Sequence, residues 1–287
     1  MGSGLVKFMS ILFLLSKPIS LGKQCVTSNN ALSTKDQTQN PVLFIFLGAS
    51  NLARSFYGLK RCIRRCIFPR PASFVHAMGP GRGYVSRGVI LNAIYSPILN
   101  CGIFEAVRNK RIKNQQVVAF ITDIGNDIMY DVSPEKIIGG LQYIFNALDR
   151  FATNIFITPI PVDLENDISE FYFQIIRQVY FPKSSVKYSQ VSNNIKTINK
   201  FILQSSSQKM TVINDMKPFC GIDKIHYGIF KSQSAWSHVV GKLTASLGTN
   251  ISPKLKTSEL ALSMANNIVR ILLTDMLGIA NKTNETF

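Results

Sequence analysis

The sequence has few histidines, few acidic residues and no cysteines in C-x-x-C spacing. Its five cysteines are an odd number, so neither a disulfide framework nor a zinc site is indicated. No run of eighteen apolar residues occurs, which predicts that the chain has no transmembrane span. Only three histidines are present in 287 residues, and they limit the choice of a catalytic base.

Acidic residues are outnumbered two to one. The chain has 32 Lys and Arg against 16 Asp and Glu, a formal net charge of +16, so its surface should attract an anionic ligand. The densest basic group lies between Lys60 and Arg70. No nucleic-acid recognition motif accompanies it, so a solvated helix face is favoured over specific nucleic-acid binding. A hydrophobic content of 46% excludes a mostly disordered protein.

Composition divides the chain into three parts. Residues 1–40 contain a short apolar run after Lys7 and then a polar stretch, which predicts a targeting or flexible segment and leaves the location open between cytoplasmic and exported. Residues 41–250 form one α/β domain. Residues 251–287 form a helical extension, whose helix is predicted over 258–278 and is interrupted by polar residues that argue against a membrane anchor.

Short apolar runs alternate with helical segments in the central part. This alternation predicts a three-layer α/β/α sandwich with a five-stranded, mainly parallel sheet. The predicted strands are 42–47, 72–77, 117–122, 154–158 and 210–214. Residues 85–110 are predicted to form short helices. Ligands of such sheets bind beyond the carboxyl ends of the strands, where the candidate site residues below are found.

Ser50 stands between a buried strand and a predicted helix. The strand is Val42–Leu47, and Gly48 and Ala49 form a small-residue turn before the serine. An accessible hydroxyl at a helix N-terminus is well placed for nucleophilic attack, because the helix start favours developing negative charge. Serine is also a common helix cap, so both interpretations remain open.

The sequence Asp223-Lys-Ile-His226 supplies a carboxylate and an imidazole three residues apart. Serine needs a base to accept its proton, and an aspartate can orient that base. His76 falls within a predicted strand and His238 on a predicted helix, which favours His226 as the base. If the three residues work together, Ser50 and His226 should lie roughly 2.6–3.2 Å apart.

Acyl transfer also needs hydrogen-bond donors for the oxyanion. The glycine-rich loop 79–83 can offer backbone N–H groups, and Asn126 can offer its side-chain amide. A tight turn and a helix cap are the alternative roles for these residues. Arg82 and Arg87 are predicted to flank the crevice and favour anionic substrates, with ordinary solvated arginines as the alternative.

In its ordered set of motifs the chain resembles the SGNH, or GDSL-type, hydrolases. The matching blocks are Gly48-Ala-Ser50-Asn, Gly81 in GPGRG, Ile-Gly-Asn126-Asp127 and Asp223-Lys-Ile-His226. The resemblance covers roughly residues 42–247. It implies a flavodoxin-like fold, an acyl-enzyme mechanism, and no metal or cofactor. It also implies that Ser50 is the nucleophile, His226 the base and Asp223 its partner, with Gly81, Asn126 and the Ser50 N–H forming the oxyanion hole.

The chain departs from the family pattern in three places. The usual acid before the serine is replaced by Ala49, the third block reads DIGND, and the second-block glycine is ambiguous among Gly79, Gly81 and Gly83. The resemblance predicts a serine esterase or acyl hydrolase acting on a small-molecule, carbohydrate or lipid ester. The alternatives are a carbohydrate O-acyltransferase using the same residues and a non-catalytic polyanion-binding protein.

Overall fold

A computed structural model describes residues 41–90 and 93–277 of the chain. The predicted amino-terminal segment, residues 1–40, lies outside the described residues. The strands are β1 (Val42–Leu47), β2 (Ala72–Ala77), β3 (Gly88–Ile90), β4 (Ala93–Tyr95), β5 (Gln116–Ile121), β6 (Asn154–Ile157) and β7 (Met210–Val212). The helices are α1 (Ser50–Cys66), α2 (Ile103–Lys110), α3 (Asn126–Met129), α4 (Pro134–Asp149), α5 (Leu164–Asp167), α6 (Glu170–Tyr180), α7 (Tyr188–Gln204), α8 (Ser232–Ala245) and α9 (Thr257–Arg270).

Five of the strands form one parallel sheet in the order β2-β1-β5-β6-β7. The predicted five-stranded parallel sheet is therefore confirmed, and each strand lies within two residues of its predicted bounds. Counted within this sheet, the strand order is 2-1-3-4-5, the flavodoxin-like order of doubly wound folds. β1 lies between β2 and β5 and is buried along its whole length, as its unbroken apolar sequence requires.

The side chains of β1 alternate between two apolar cores, one on each face of the sheet. Leu43, Ile45 and Leu47 pack with α2, α4, α6 and α7. Phe44 and Phe46 pack with α1, α8 and α9 on the opposite face. Because successive strand residues point to opposite faces, a buried strand must be apolar throughout to serve both layers. The result is the predicted three-layer sandwich.

The prediction of short helices over 85–110 is wrong in its first part. β3 and β4 pair antiparallel there, and among the described residues of this segment only Ile98–Asn100 and α2 are helical. Gly88 begins β3 directly against the glycine-rich loop, where an added Cβ would lie 2.5 Å from the carbonyl oxygen of Gly81. Three-residue strands are too short to show a period in the sequence.

The carboxy-terminal helix α9 packs against α1. The Gly58 N–H donates to Ser263 Oγ at 2.6 Å, and Arg65 forms a salt bridge with the nearly buried Glu259. The predicted helix 258–278 is observed as α9 followed by a π-helical stretch, Ile271–Met276, while Gly278 lies outside the described residues. Within the described chain, no helix is both long enough and apolar enough to cross a membrane.

Candidate active site

Ser50 is the first residue of α1 and follows the carboxyl end of β1 after the two-residue turn Gly48-Ala49. Its Oγ lies 2.9 Å from Nε2 of His226, which is within the range expected from the sequence. His226 is in the loop between β7 and α8, 176 residues further along the chain. The parallel sheet brings both loops to the same edge, because the carboxyl ends of parallel strands all face one side.

Asp223 lies on the other side of the imidazole. Its Oδ2 is 2.7 Å from His226 Nδ1, and its Oδ1 accepts hydrogen bonds from the backbone N–H groups of Ile225 and His226. A ring that carries its proton on Nδ1 donates to Asp223 and presents an unprotonated Nε2 to Ser50. The three side chains therefore form a continuous Ser–His–Asp relay.

The Asp223 carboxylate is held in its charged form. Burial opposes ionisation, but hydrogen bonds from the ring and backbone of His226, together with attraction to that ring, hold the pKa of Asp223 well below its usual range. Tyr180 at the end of α6 also donates to Oδ2 at 3.2 Å, and its ring lies edge-on to the imidazole at 5.2 Å. An aspartate charged at all ordinary pH values is suited to orienting the base.

Asp123 binds the start of α1 from across the sheet edge. Its Oδ2 accepts hydrogen bonds from the N–H groups of Ala49, Asn51 and Leu52 at 3.0, 3.0 and 3.2 Å. The residue reaches this position with a left-handed backbone, φ +61°, two residues after the end of β5. Asp123 therefore caps α1, so the alternative that Ser50 itself is the cap is wrong.

The Asp123 carboxylate does not accept from the Ser50 N–H, although it binds the N–H groups on both sides. That backbone donor stays at the helix N-terminus beside the Ser50 hydroxyl. This is where the oxyanion donor implied by the family resemblance would lie.

Asn51 ties the start of α1 to the histidine loop. Its side-chain Nδ2 donates to the carbonyl oxygen of Ile225 at 3.1 Å, and its Oδ1 accepts from the N–H of Tyr227 at 3.0 Å. These two residues flank His226. The same Nδ2 also donates to Asp123 Oδ1 at 2.9 Å. Asn51 is almost fully buried, so the bonds that fix the loop are shielded from water.

Asn126 and the glycine-rich loop lie next to each other. The Asn126 Nδ2 donates to the carbonyl oxygen of Arg82 at 2.9 Å, which leaves its second N–H available. Gly81 has a left-handed backbone, φ +66°, and its carbonyl accepts from the Tyr130 hydroxyl at 2.7 Å. Of the three proposed oxyanion donors, Ser50 and Asn126 line the cavity beside the relay, whereas Gly81 is not among its lining residues. The role of Gly81 in the oxyanion hole stays a prediction.

Asp127 fixes the segment that follows this loop. The fully buried carboxylate accepts hydrogen bonds from the N–H groups of Tyr84 and Ser86 and from the Ser86 hydroxyl. Burial raises the pKa of Asp127, while these same hydrogen bonds act against the rise. The two adjacent residues therefore have different partners: Asn126 lines the cavity and binds the glycine-rich loop at Arg82, and Asp127 binds the segment after that loop.

The prediction that Arg82 flanks the crevice is wrong. Its side chain is only 2% exposed, and its guanidinium donates to the backbone carbonyls of Ser96 and Met78. The arginine therefore supports the loop from inside and does not face a substrate. Arg87 is exposed but does not line the cavity beside Ser50.

An apolar cavity of about 100 Å³ opens beside Ser50. It runs between the carboxyl ends of β5 and β6 and the helices α6 and α7. Its wall is mainly apolar and includes Ile124, Ile160, Leu164, Phe173, Ile176, Val191 and Ile195, with polar residues such as Thr122, Asp123 and Thr158 among the rest of the lining. A cavity lined in this way takes up apolar groups and excludes charged ones.

Comparisons with known proteins give structural likeness without sequence likeness. No protein-family model matches the sequence, and no curated protein matches it. One similar structure is a member of the lipolytic protein G-D-S-L family from Veillonella parvula, with 8% identity, a TM-score of 0.38, and coverage of 79% of this chain and 97% of that one.

Two further structures are similar at the same level. TesA has 13% identity and a TM-score of 0.43, with 71% of this chain and 98% of that chain covered. The salicylyl-acyltransferase SsfX3 from a tetracycline biosynthetic pathway has 12% identity and a TM-score of 0.39, with 76% and 58% covered. The flavodoxin-like three-layer fold predicted from the sequence is confirmed by the order of the strands, and the loops that carry Ser50 and His226 meet at the carboxyl edge of the sheet.

Proposed function

We propose that this protein is a serine-dependent acyl hydrolase whose substrate is an ester with an apolar acyl group. The observation that carries the proposal is the relay Ser50–His226–Asp223, with contacts of 2.9 and 2.7 Å, beside an apolar cavity. A binding protein would have no need of a serine held against an oriented imidazole. The relay therefore favours an enzyme over the non-catalytic alternative.

The reaction follows from the positions of these groups. The Ser50 Oγ attacks the ester carbonyl carbon, and its proton passes to His226 Nε2. The negative charge on the carbonyl oxygen is stabilised by the Ser50 N–H and the free N–H of Asn126. Collapse of this intermediate expels the alcohol, which takes the proton from His226. A water molecule then attacks the acyl-enzyme, with His226 again as base, and releases the acid and Ser50.

The cavity sets the size of the acyl group. Its volume of about 100 Å³ is on the scale of the roughly 150 Å³ apolar cavity that takes up benzene. An acyl chain of several carbons would fill the cavity and remove its apolar walls from contact with water, which is favourable. The preferred acyl group is therefore longer than acetyl. Transfer of the acyl group to a sugar hydroxyl would use the same residues, with the hydroxyl in place of water.

The test combines labelling with turnover. Wild-type protein is incubated with a serine-reactive fluorophosphonate and with p-nitrophenyl esters from acetate to octanoate. We expect labelling at Ser50 and faster hydrolysis of the intermediate chain lengths than of acetate. Ser50→Ala and His226→Ala should each abolish most turnover, and the double variant should lose little more, because the pair works as a unit.

A matched control is His238→Ala. His238 lies on α8 and pairs with Asp215 at 2.9 Å. It contacts no residue of the relay. Its loss should leave turnover unchanged. Full turnover in Ser50→Ala, or labelling at another residue, would contradict the proposal. Adding sugar acceptors to the ester assay and measuring acylated sugar against free acid would separate transfer from hydrolysis.

A further inference from the structure

The outer face of α6 is apolar and exposed. Phe171, Ile175 and Val179 stand at positions i, i+4 and i+8, which places them in one stripe along the helix. Their exposed fractions are 76%, 44% and 67%. An exposed stripe of this kind on a surface helix is unusual, because the outward face is ordinarily polar.

The inner face of the same helix is apolar as well. Phe173 and Ile176 are buried and line the cavity beside Ser50. A helix that is apolar on two faces normally has apolar partners on both. In the part of the chain that the structure describes, α6 has such a partner only on its inner side.

The loop that carries the base is apolar at its surface too. Ile222, Ile229 and Phe230 are 84%, 75% and 98% exposed, the first beside Asp223 and the others three and four residues after His226. Tyr180 joins this loop to α6 through its hydrogen bond to Asp223 and its ring contact with His226. We call the six exposed side chains on α6 and the loop, Phe171, Ile175, Val179, Ile222, Ile229 and Phe230, the apolar rim.

Basic residues flank the apolar rim along the chain. The segments 170–187 and 217–231 contain six basic residues against Glu170 and Asp223, and Asp223 belongs to the relay. Four of the lysines are exposed at the surface. They are Lys183, Lys187, Lys217 and Lys231. Lys217 pairs with Asp167 at 2.9 Å, so the attraction to an anionic surface rests on Lys183, Lys187 and Lys231. An anionic phospholipid layer has an apolar acyl interior and negatively charged head groups. Exposed apolar side chains flanked by lysines match both parts of such a layer.

We propose that the apolar rim docks this protein on an anionic lipid surface and so presents the mouth of the active site to esters held in that surface. The inference rests on the proposed acyl hydrolase function and names the source of its substrate. The rim side chains enter the apolar layer, the lysines contact the head groups, and the acyl chain passes from lipid to the cavity behind α6. Pairing of two copies through this face is disfavoured, because it would bring two basic surfaces together.

The experiment measures binding without turnover. Purified protein is sedimented with vesicles of phosphatidylcholine alone and of phosphatidylcholine mixed with phosphatidylglycerol. We expect binding to the mixed vesicles, weaker binding at high salt, and little binding to the neutral vesicles. The double variant Phe171→Ser/Phe230→Ser should bind at least about tenfold more weakly, since two large apolar contacts are lost. Lys183→Gln/Lys187→Gln should lose roughly fivefold for each lysine.

Matched controls come from the rest of the surface. Ile94→Ser/Ile112→Ser removes two apolar side chains that are 65% and 58% exposed and lie outside the rim. Lys113→Gln/Lys136→Gln removes two exposed lysines elsewhere. Both controls should bind like wild type, and all four variants should hydrolyse a water-soluble ester at the wild-type rate.

The outcomes separate this inference from the proposed function. If the wild-type protein hydrolyses a soluble ester but does not bind anionic vesicles, the proposed docking surface is wrong and the proposed hydrolase function is unaffected. Equal losses in the rim variants and their controls would also overturn it, since net charge or general apolarity would then explain binding. Ser50→Ala should sediment with vesicles as wild type does, while wild-type binding with no turnover of any ester would contradict the hydrolase alone.

Discussion

The side chain of Asn51 accepts a hydrogen bond from the backbone N–H of Tyr227 at 3.0 Å, across 176 residues of sequence. With the companion bond from Asn51 Nδ2 to the carbonyl oxygen of Ile225, it holds the backbone on both sides of His226. Asn51, the residue after Ser50, therefore helps to hold His226 beside the serine. In the proposed reaction Asn51 is a positioning residue, since it acts through His226.

Replacing Asn51 by alanine should lower kcat about a hundredfold with little change in KM. The backbone groups of Ile225 and Tyr227 lose their hydrogen-bond partner, so the position of His226 is less well fixed. A shift of about 1 Å in a catalytic group can lower the rate about a hundredfold. The unfolding free energy should also fall by about 1–3 kcal/mol, because buried polar groups are left unpaired. Steady-state kinetics on a soluble ester and denaturant unfolding measure the two effects.

The control for this variant is Arg54→Ala. Arg54 donates to Asn51 Oδ1 at 2.9 Å but makes no bond to the histidine loop. It should retain most of the activity. An Asn51→Ala enzyme that keeps wild-type kcat would show that the loop positions His226 without this side chain.

Asn126→Asp should lower kcat about 10²–10³-fold, equivalent to about 2.7–4 kcal/mol of transition-state stabilisation. The substitution keeps the size of the side chain but replaces its N–H donors by a charged acceptor facing the developing oxyanion. Asn126→Ala should give a loss of the same order. The kcat values for one soluble ester measure both, and circular dichroism checks the fold. Unchanged turnover in both variants would remove Asn126 from the site.

The fold followed from the sequence because its cause is local. The unbroken apolar run Val42–Leu47 is typical of a strand buried on both faces, and five short strand-like runs between helices leave few topologies open. The meeting of Ser50 and His226 followed from the same rule, since both come after strands of a parallel sheet.

The support of the site did not follow from the sequence. Asp123 and Asn51 act through hydrogen bonds to residues 71 to 176 positions away, and no spacing rule describes such contacts. The direction of the Arg82 side chain was equally unpredictable, because an arginine in such a loop can point into the protein or toward the crevice. Asp123 did have one local indication, an acidic residue directly after a buried strand, in a chain whose usual acid before the serine is replaced by Ala49.

Stability should fall as the pH drops below about 6.5 because of His76. This histidine lies buried on β2 against Phe56, and burial, with the nearby charges of Lys60, Arg270, Arg82 and Lys110, lowers its pKa to about 3. In the unfolded chain the imidazole takes a proton near its usual pKa of about 6.5. Between these values the unfolded state binds more protons, so the loss begins near pH 6.5 and ends near pH 3.

One proton of difference gives a slope of at most about 1.4 kcal/mol per pH unit, or about 2 kcal/mol between pH 7 and pH 5. Urea unfolding across this range measures it. His76→Gln cannot titrate, so its stability should decline less steeply than that of wild type. Parallel curves for the two proteins would contradict the assignment to His76.

Filling the cavity should shorten the preferred acyl chain. Ile195 is buried on α7, lines the cavity and belongs to an element that carries no residue of the relay. Ile195→Phe places a larger side chain there, so an acetyl ester should still react while kcat/KM for an octanoyl ester falls roughly 10–200-fold, the range for a missing or added group in an apolar pocket. Overpacking should cost about 1–3 kcal/mol of stability, which thermal unfolding would measure.

Ile195→Leu conserves the volume and should keep the wild-type order of chain lengths. If Ile195→Phe slowed acetyl and octanoyl esters equally, the acyl group would bind elsewhere than in this cavity.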